Sequence, residues 1–445
     1  MIYTTDYTLE NYIINTKWQD LPENVKNRLK GCFIDLLGAL ISGSVSEQFK
    51  VGLSLAENLF GLGEVAVIGS NKKLSFIGSA TAMGHSSNAF DIDDGHNETR
   101  AHHGTSFIGP ILAISYEKNI TLKEFLTALL VAYECSIRSG KAIMEYYNFA
   151  HSSGTFGAVG SVIGVGKVLG FTKEQLNNAI SVAEFNAPLV PGIRSVEYPS
   201  MNKDGVPFGV MVGLLAIKET LFGFTGNKNL LESEEYKKYL LDLGKNYEVM
   251  NLYFKPYPCC RWAHPAIDAC LSVMKKENIS ASNIKKVTIK TFKRATMLSK
   301  IKPTTSDEAQ YNIAYPVASS IVYGDFTIDK IQKQALNDSK TLEMMDKLSF
   351  EVDDIIDSKF PTQRICRAEI TTNDNKKYIS QDCEPRGEAK ENIDIKWLSD
   401  KFLRTTSFVL SKDNAKKILS LVTENENITI KNIVDEINKY IVKNA

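Results

Sequence analysis

The apolar residues of this chain change their spacing twice, and no other feature of the sequence constrains the fold as strongly. From Pro22 to about residue 226 they recur every three or four positions, which is the spacing of helices that bury one face. After Pro258 this spacing stops, and it resumes near Ile395. The pattern predicts a mainly α fold in which both ends of the chain form one large helical domain.

The segment between the two helical regions has a different pattern. Residues 284–292 alternate between apolar and polar side chains, as a half-buried strand does, and residues 367–380 predict a hairpin. A further strand is predicted at 350–352, and helices are predicted at 311–323 and 328–336. This segment is therefore expected to be a smaller α+β lid domain.

The length of the chain also favours two domains, because 445 residues exceed what one hydrophobic core usually holds. With boundaries at the changes of pattern, residues 1–258 and 395–445 form the discontinuous helical domain, and residues 259–394 form the lid. Within the helical domain, residues 154–170 contain six glycines, which let helix backbones approach closely. They predict a buried central helix rather than a phosphate-binding loop, whose GxGxxG spacing is absent there.

The charges and cysteines disfavour several classes of function. The 52 basic and 52 acidic residues cancel and are interspersed, so neither a nucleic acid nor a membrane is indicated as a partner. Seven cysteines, an odd number without CxxC spacing, disfavour a disulfide framework and a structural zinc site. No segment approaches the roughly 20 apolar residues that span a bilayer. We expect a cytoplasmic protein.

The histidines point to the chemistry of the chain. Four of the six lie within residues 85–103, together with three aspartates. Imidazole has the side-chain pKa nearest neutrality, so this segment concentrates groups that transfer protons. Asp91 and Asp94 would share one face of a helix, with Asp93 pointing elsewhere. His102 would follow on a loop, where a carboxylate orients a histidine base.

Other interpretations of this segment are open. A metal centre would use His85, Asp91, Asp94 and His96, but their spacing matches neither HExxH nor a calcium loop. Residues 91–94 match the DxDD acid of class II terpene cyclases, which need a dry aromatic pocket that nearby histidines would spoil. Single histidines are often core residues, and an aspartate can simply cap a helix. We predict no metal and no cofactor.

Further segments place polar groups in apolar, glycine-rich surroundings. One contains His151, and another contains Lys203 before glycines at 205, 209 and 213. The glycine stripe predicts close packing against a neighbouring helix, with Lys203 near a positive helix N-terminus that favours an anionic substrate. A third segment contains Lys255, Arg261 and His264.

Together these segments resemble the MmgE/PrpD family, which includes 2-methylcitrate dehydratase, cis-aconitate decarboxylase and iminodisuccinate epimerase. The first similar motif is Asn88-Ala-Phe-Asp91-Ile-Asp93-Asp94-Gly-His96, followed by His102-His-Gly. The others, in the family's order, are His151-Ser-Ser-Gly-Thr-Phe-Gly, Asn202-Lys203-Asp-Gly, Lys255-Pro-Tyr-Pro-Cys-Cys with His264 and Asp268, and Ala314-Tyr315-Pro-Val-Ala. Five motifs in one order are far more specific than any one of them.

The resemblance implies a cofactor-free site in the cleft between a helical domain and a lid, and usually a homodimer. By position it implies as site residues Asp91, His102, His151, Lys203, His264 and Tyr315. Two positions depart from the family pattern. Gly95 stands where a threonine is common, and His103 where a proline is common. These departures bear on the identity of the substrate more than on the type of reaction.

The reactions of that family share a carbanion-like centre beside a carboxylate. We predict that Lys203 binds a small polycarboxylate, that His102 oriented by Asp91 transfers the proton, and that His264 opposes it from the lid. The other predicted substrate-binding residues are Arg194, Arg261, Lys255 and His103. A lyase that removes water or carbon dioxide is the first prediction, an isomerase the second, and a non-catalytic carboxylate-binding protein the third.

Overall fold

The structure, a computed structural model, describes residues 8–441. It is 59% helical with a few small sheets, which confirms the prediction of a mainly α fold. The division of the chain into two domains stays a prediction.

The first half of the described chain is helical, as its periodicity predicts. Its helices are α1 (Leu9–Asn15), α2 (Glu23–Gly43), α3 (Glu47–Phe60), α4 (Phe76–Ser87), α5 (His103–Lys118), α6 (Leu122–Tyr147), α7 (Ser153–Leu169), α8 (Lys173–Asn186), α9 (Ile193–Glu197) and α10 (Val206–Leu221). Two short antiparallel strand pairs interrupt it: β1 (Leu62–Ala66) with β2 (Lys73–Leu74), and β3 (Gly95–His96) with β4 (Leu252–Tyr253). The second pair lies beside the candidate site.

Helix α7 is the predicted buried central helix and contacts α5, α6, α8 and α10. Its glycines permit this, because a Cβ at Gly209 of α10 would lie 2.2 Å from the Gly154 carbonyl oxygen. A Cβ at Gly213, one turn later, would lie 2.6 Å from the Ala158 carbonyl oxygen. The glycine stripe after Lys203 therefore packs backbone against backbone, as its spacing predicts.

The helices after residue 394 pack on the N-terminal ones. They are α16 (Ile395–Thr406), α17 (Lys412–Glu424) and α18 (Ile430–Ile441). Leu398 and Phe402 of α16 lie over Gly31 and Gly38 of α2. Lys401 on the same face forms a buried ion pair with Asp35. Breaking such a pair from one side costs about 3–5 kcal/mol, so this contact holds α16 in one register on α2.

The intervening region is built on a four-stranded sheet of order β6-β5-β7-β8. Its strands are β5 (Ile284–Thr291), β6 (Leu348–Val352), β7 (Cys366–Thr372) and β8 (Lys377–Ile379), with β5 and β6 parallel and the other pairs antiparallel. The strands predicted at 284–292 and 350–352 and the hairpin at 367–380 are thus confirmed. The helices of this region are α11 (His264–Lys276), α12 (Ser306–Gln310), α13 (Ala314–Tyr323), α14 (Ser339–Met345) and α15 (Asp354–Asp357).

One helix prediction in this region is wrong. Residues 328–336 form only two short 3-10 turns, Ile328–Ile331 and Ala335–Asn337. The apolar side chains that suggested a helix, Ile328, Ile331 and Leu336, are buried all the same. A buried turn can produce the same spacing of apolar residues as a helix.

The two large hydrophobic cores among the described residues correspond to the helical region and to the α+β region. One combines side chains from residues 9–254 and 398–441, and the other is centred on residues 257–370. Within residues 8–441 no single helix has both the length and the apolar character needed to cross a membrane. One sharply bent pair, α2 with α3, meets that test by length and composition only.

Candidate active site

A cavity of about 460 Å³ lies where the loop after α4 meets the α+β region. Its lining includes Asp91, Arg100, His102, His151, Asp204, Tyr253, Lys255, Cys260, Arg261, Trp262, Arg294, Tyr311, Phe360 and Arg364. Five of the lining residues are arginine or lysine and two are aspartate. The cavity is therefore suited to a small anionic ligand.

The loop that carries the three aspartates is not helical. Asp91 has a left-handed backbone with φ of 47°, and its amide donates to the Asn88 carbonyl in a turn. The prediction that Asp91 and Asp94 share one face of a helix is therefore wrong. Asp91 lines the cavity, whereas the Asp94 carboxylate accepts a hydrogen bond from Tyr133 in the interior.

Two buried ammonium groups that do not line the cavity hold this loop through its backbone carbonyls. Lys203 donates to the Ala89 carbonyl, and Lys401 of α16 donates to the Ile92 carbonyl, each at 2.6 Å. Backbone carbonyls that cannot reach water need such partners. The C-terminal helices thus help to shape the candidate site, although their own residues are absent from the cavity lining.

His102 is held by the Asp93 carboxylate, which was expected to point away from the face of Asp91 and Asp94. Its Nδ1 lies 2.7 Å from the Asp94 carbonyl oxygen and 3.0 Å from Asp93 Oδ2, while its Nε2 lies 3.5 Å from Asp91 Oδ1. Burial, the largest single effect, would lower the pKa of His102, but the charge and hydrogen bond of Asp93 together with the nearby Tyr253 outweigh it and raise that pKa well above its usual value. Burial, the largest single effect, would raise the pKa of Asp93, but the charge and hydrogen bond of His102, with the Lys255 charge and the Asn88 hydrogen bond, together hold it below its usual value. Asp93 and His102 therefore form a buried ion pair.

A second set of charges lies on the Nε2 side of His102. The Lys255 ammonium lies 2.6 Å from Asp91 Oδ1, and both side chains are almost completely buried. Burial raises the pKa of Asp204, whose Oδ2 accepts a hydrogen bond of 3.0 Å from the Tyr311 hydroxyl. The sequence patterns did not indicate Asp204 or Tyr311 as site residues. Asp204 directly follows Lys203 in a predicted motif, but no spacing distinguished it.

His151 lines the same cavity as a neutral imidazole. Neither of its ring nitrogens has a hydrogen-bond partner among the described residues. Its ring packs on Phe149 at 3.9 Å between centroids and on Tyr147 at 5.6 Å. Burial lowers its pKa to about 4. An unpartnered neutral imidazole at a cavity wall is free to exchange a proton or a hydrogen bond with a ligand.

Lys203 and His264 are not among the lining residues. The Lys203 ammonium donates to Ala89 and to Gln310 Oε1 at 2.9 Å, and it lies 3.3 Å from Asp307 Oδ1. His264 is fully buried, and its Nε2 lies 3.0 Å from the Cys259 carbonyl oxygen. Burial lowers its pKa well below the usual value. In this geometry both side chains hydrogen-bond the backbone of loops that surround the cavity, without lining it themselves.

Three other predicted site residues also lie outside the cavity lining. His103 is buried against Phe156 and bonds Ser136 and Thr99 through its two ring nitrogens. The Tyr315 hydroxyl donates to the Lys330 carbonyl at 2.7 Å. Arg194 is exposed. Of the predicted residues, the structure brings together Asp91, His102, His151, Lys255 and Arg261.

The departure at Gly95 has a structural reason. Gly95 pairs with Tyr253 across the strands β3 and β4. A Cβ at Gly95 would lie 2.3 Å from the Tyr253 ring and hydroxyl, so a larger side chain there would displace this tyrosine. Tyr253 lines the cavity, with the Arg261 guanidinium 3.5 Å from its ring centroid.

We expect activity to be independent of metal ions. Asp91, His102 and Asp204 offer ligand atoms within 4.8 Å of one another, a set that suits a divalent cation. Lys255, however, already neutralises Asp91, and its charge would repel a dication. Turnover should survive prolonged chelation, with no stoichiometric metal found by elemental analysis. Loss of turnover that one divalent ion restores would contradict this prediction.

A buried histidine–carboxylate pair at the wall of a basic cavity, in a mainly helical fold, is the kind of site in which enzymes act on small anions. The chain belongs to the MmgE/PrpD family. The MmgE/PrpD N-terminal domain matches residues 8–248, and the MmgE/PrpD C-terminal domain matches residues 257–427. The resemblance drawn from the five motifs is thereby confirmed. The boundary falls where the periodicity changes, but the C-terminal match extends into the helical tail.

Three relatives are similar to this chain over most of its length. A cis-aconitate decarboxylase-like protein, oryM, of Aspergillus oryzae is 22% identical over 76% of this chain and 77% of its own length. Two cis-aconitate decarboxylases of Aspergillus terreus are 23% and 21% identical, over 69% and 93% of this chain and 70% and 92% of their own lengths. The family and these relatives are enzymes, which supports a lyase of the dehydratase or decarboxylase type.

Proposed function

We propose that the protein is a cofactor-independent lyase that removes carbon dioxide or water from a small di- or tricarboxylate, such as cis-aconitate or 2-methylcitrate. The observation that carries this proposal is the position of His102. Its Nδ1 is engaged by Asp93, while its Nε2 lies beside Asp91 at the wall of a basic cavity. A proton donor and cations that bind carboxylates are thus present in one place.

The raised pKa of His102 makes it a proton donor at neutral pH. When a carboxylate leaves as carbon dioxide, the electron pair of the broken carbon–carbon bond stays on the substrate carbon. That carbanion-like centre then takes the Nε2 proton of His102. Lys255 and the cavity arginines stabilise the negative charge as it develops. Decarboxylation by these steps needs one proton donor and no base, and His102 supplies that donor, so the site favours decarboxylation.

Dehydration needs a base as well as a donor. His151 is neutral and lacks a hydrogen-bond partner among the described residues, so it can accept the proton removed beside a carboxylate. His102 then protonates the departing hydroxyl group. The same donor and acceptor would also serve epimerisation, in which one face loses a proton and the other gains one. An isomerase acting on an iminodisuccinate-like dicarboxylate is therefore the second candidate.

One experiment separates these reactions. The pure protein is incubated in deuterium oxide with citrate, 2-methylcitrate, cis-aconitate or iminodisuccinate, and proton spectra are followed. A decarboxylase predicts net loss of carbon dioxide with deuterium in the product, whereas a dehydratase predicts net loss of water without new deuterium on carbon. Exchange without net loss would favour the epimerase. Binding of every compound without exchange or turnover would contradict both and leave a carboxylate-binding protein.

We further propose that the protein is a homodimer. Helix α10 exposes Phe208 and Leu215, which lie two turns apart on one face, and Phe222, two turns further at the helix end, has 90% of its surface exposed. A row of large apolar side chains on one helix face is typical of a protein interface. Light scattering coupled to size exclusion should give twice the chain mass. The double variant Phe208→Asp, Leu215→Asp should give the monomer mass. An unchanged mass would show that this helix face is not the dimer interface.

A further inference from the structure

The side chain of Tyr253 lies over Gly95 on the opposite strand. The two residues are direct partners across the antiparallel strands β3 and β4. A Cβ at Gly95 would lie 2.3 Å from Cζ of Tyr253 and also 2.3 Å from its hydroxyl oxygen, closer than real Cβ atoms approach other atoms. The backbone of Gly95 is not left-handed, so it would accept a larger residue. Glycine is therefore needed at this position for space, and the end of Tyr253 fills that space.

This packing places a phenol at the wall of the cavity. Tyr253 is 6% exposed and lines the cavity. Its ring meets the His102 ring nearly edge-on, with 6.4 Å between the centroids. Among the described residues, the Tyr253 hydroxyl has no acceptor for its proton. A nearly buried donor without an acceptor is available to a group that enters the cavity.

The surroundings of the phenol suit a reaction in which negative charge develops. The Arg261 guanidinium lies 3.5 Å from the ring centroid, and a cation there favours donation of the phenol proton to an anionic oxygen. A hydroxyl also forms a stronger hydrogen bond to a charged oxygen than to a neutral one. The stabilisation by Tyr253 would therefore increase as charge builds on the substrate, which is what lowers a reaction barrier.

We propose that Tyr253 is a further catalytic residue, whose hydroxyl donates a hydrogen bond to the substrate oxygen on which negative charge develops. The threonine that is common at position 95 in the family pattern would direct its side chain into the space that this hydroxyl fills. The chain thus supplies the hydroxyl from β4 instead of β3. This inference rests on the proposed function, and it applies to decarboxylation, dehydration and epimerisation alike, because all three develop that charge.

The variant Tyr253→Phe tests the hydroxyl while it keeps the ring. On the substrate identified by proton spectra, kcat should fall about 10- to 100-fold, the value of one hydrogen bond to a charged group. The KM and the unfolding temperature should stay close to the wild-type values. Tyr378→Phe is the matched control, since Tyr378 also lies on a strand but does not line the cavity. Its kcat should stay within about twofold of wild type.

Moving the hydroxyl between the strands tests the pairing of the two positions. Gly95→Thr alone should displace the tyrosine ring and lower kcat at least as much as Tyr253→Phe. Tyr253→Ala empties the same space. Adding Gly95→Thr to Tyr253→Ala should raise kcat about tenfold over Tyr253→Ala alone, because a hydroxyl returns to the cavity wall. If the alanine variants do not fold, Tyr253→Phe decides the role of the hydroxyl.

The outcomes distinguish this proposal from the proposed function. An unchanged kcat in Tyr253→Phe overturns the role of Tyr253 and leaves the lyase standing, as does an equal loss from Gly95→Thr in both backgrounds. A fall in kcat that comes with a lower unfolding temperature in Tyr253→Phe would show a packing role and also overturn it. If the wild-type protein only exchanges deuterium, a slower exchange in Tyr253→Phe supports the catalytic role and rejects the lyase. A wild-type protein without turnover or exchange overturns both proposals.

Discussion

Replacing His102 by glutamine should lower turnover by about 10²-fold or more, because glutamine keeps the approximate shape but carries no titratable proton. The structure holds His102 as the partner of Asp93, with Nε2 beside Asp91. The effect should therefore appear in kcat more than in substrate affinity. Steady-state kinetics on the substrate identified by proton spectra measures it.

His85→Gln is the matched control for this change. His85 is largely buried and packs against Gly52, but it does not line the cavity. The same substitution there should leave kcat within about threefold of the wild-type value, as expected away from the reacting groups. Near-full activity of His102→Gln, with circular dichroism unchanged, would show that another group supplies the proton.

Asp93→Asn should have the second largest effect, about 10²-fold on turnover at neutral pH, although Asp93 does not line the cavity. The Asp93 charge holds the pKa of His102 well above its usual value. Without that charge the imidazolium loses its proton at lower pH. The alkaline limb of the pH–rate profile should therefore move to lower pH. If the alkaline limb of the Asp93→Asn profile stays at the wild-type pH, the coupling between Asp93 and His102 is refuted.

The same pair contributes to the free energy of unfolding in a pH-dependent way. Folding raises the pKa of His102, so its contribution is fully present below about pH 6.5 and is lost as the pH rises through the folded pKa. Folding lowers the pKa of Asp93, so its contribution is present above about pH 3.9 and is lost as the pH falls through the folded pKa. Urea unfolding should show the largest advantage of wild type over Asp93→Asn between these limits.

Two predicted roles do not match the geometry, and the reason is the same for both. Lys203 and His264 lie in segments that border the cavity, yet their polar atoms bond to the carbonyls of Ala89 and Cys259. A motif shows which residue types occur in a segment, but not which way each side chain turns. Asp204, which follows Lys203, and Lys255, which lies in the same motif as His264, are side chains that do reach the cavity.

Much of the fold was predictable because it depends on local periodicity. The helices before residue 226 and after residue 394, the strand β5 and the hairpin of β7 and β8 follow from spacing alone. The segment 328–336 was not predictable, because a buried turn and a helix can share the same apolar spacing. The loop after α4 was predicted as a helix because charge spacing cannot detect the left-handed backbone at Asp91.

The sequence by itself determined the family, the helical character and the region in which the proton-transfer groups lie, because motifs and periodicity are properties of neighbours along the chain. Only the tertiary structure decided which groups meet. Asp93 rather than Asp91 engages Nδ1 of His102, Lys401 from the far end of the chain fixes the loop, and Arg364 joins the cavity from a segment without a motif. These contacts join residues between 9 and about 300 positions apart, and no spacing rule connects such distances.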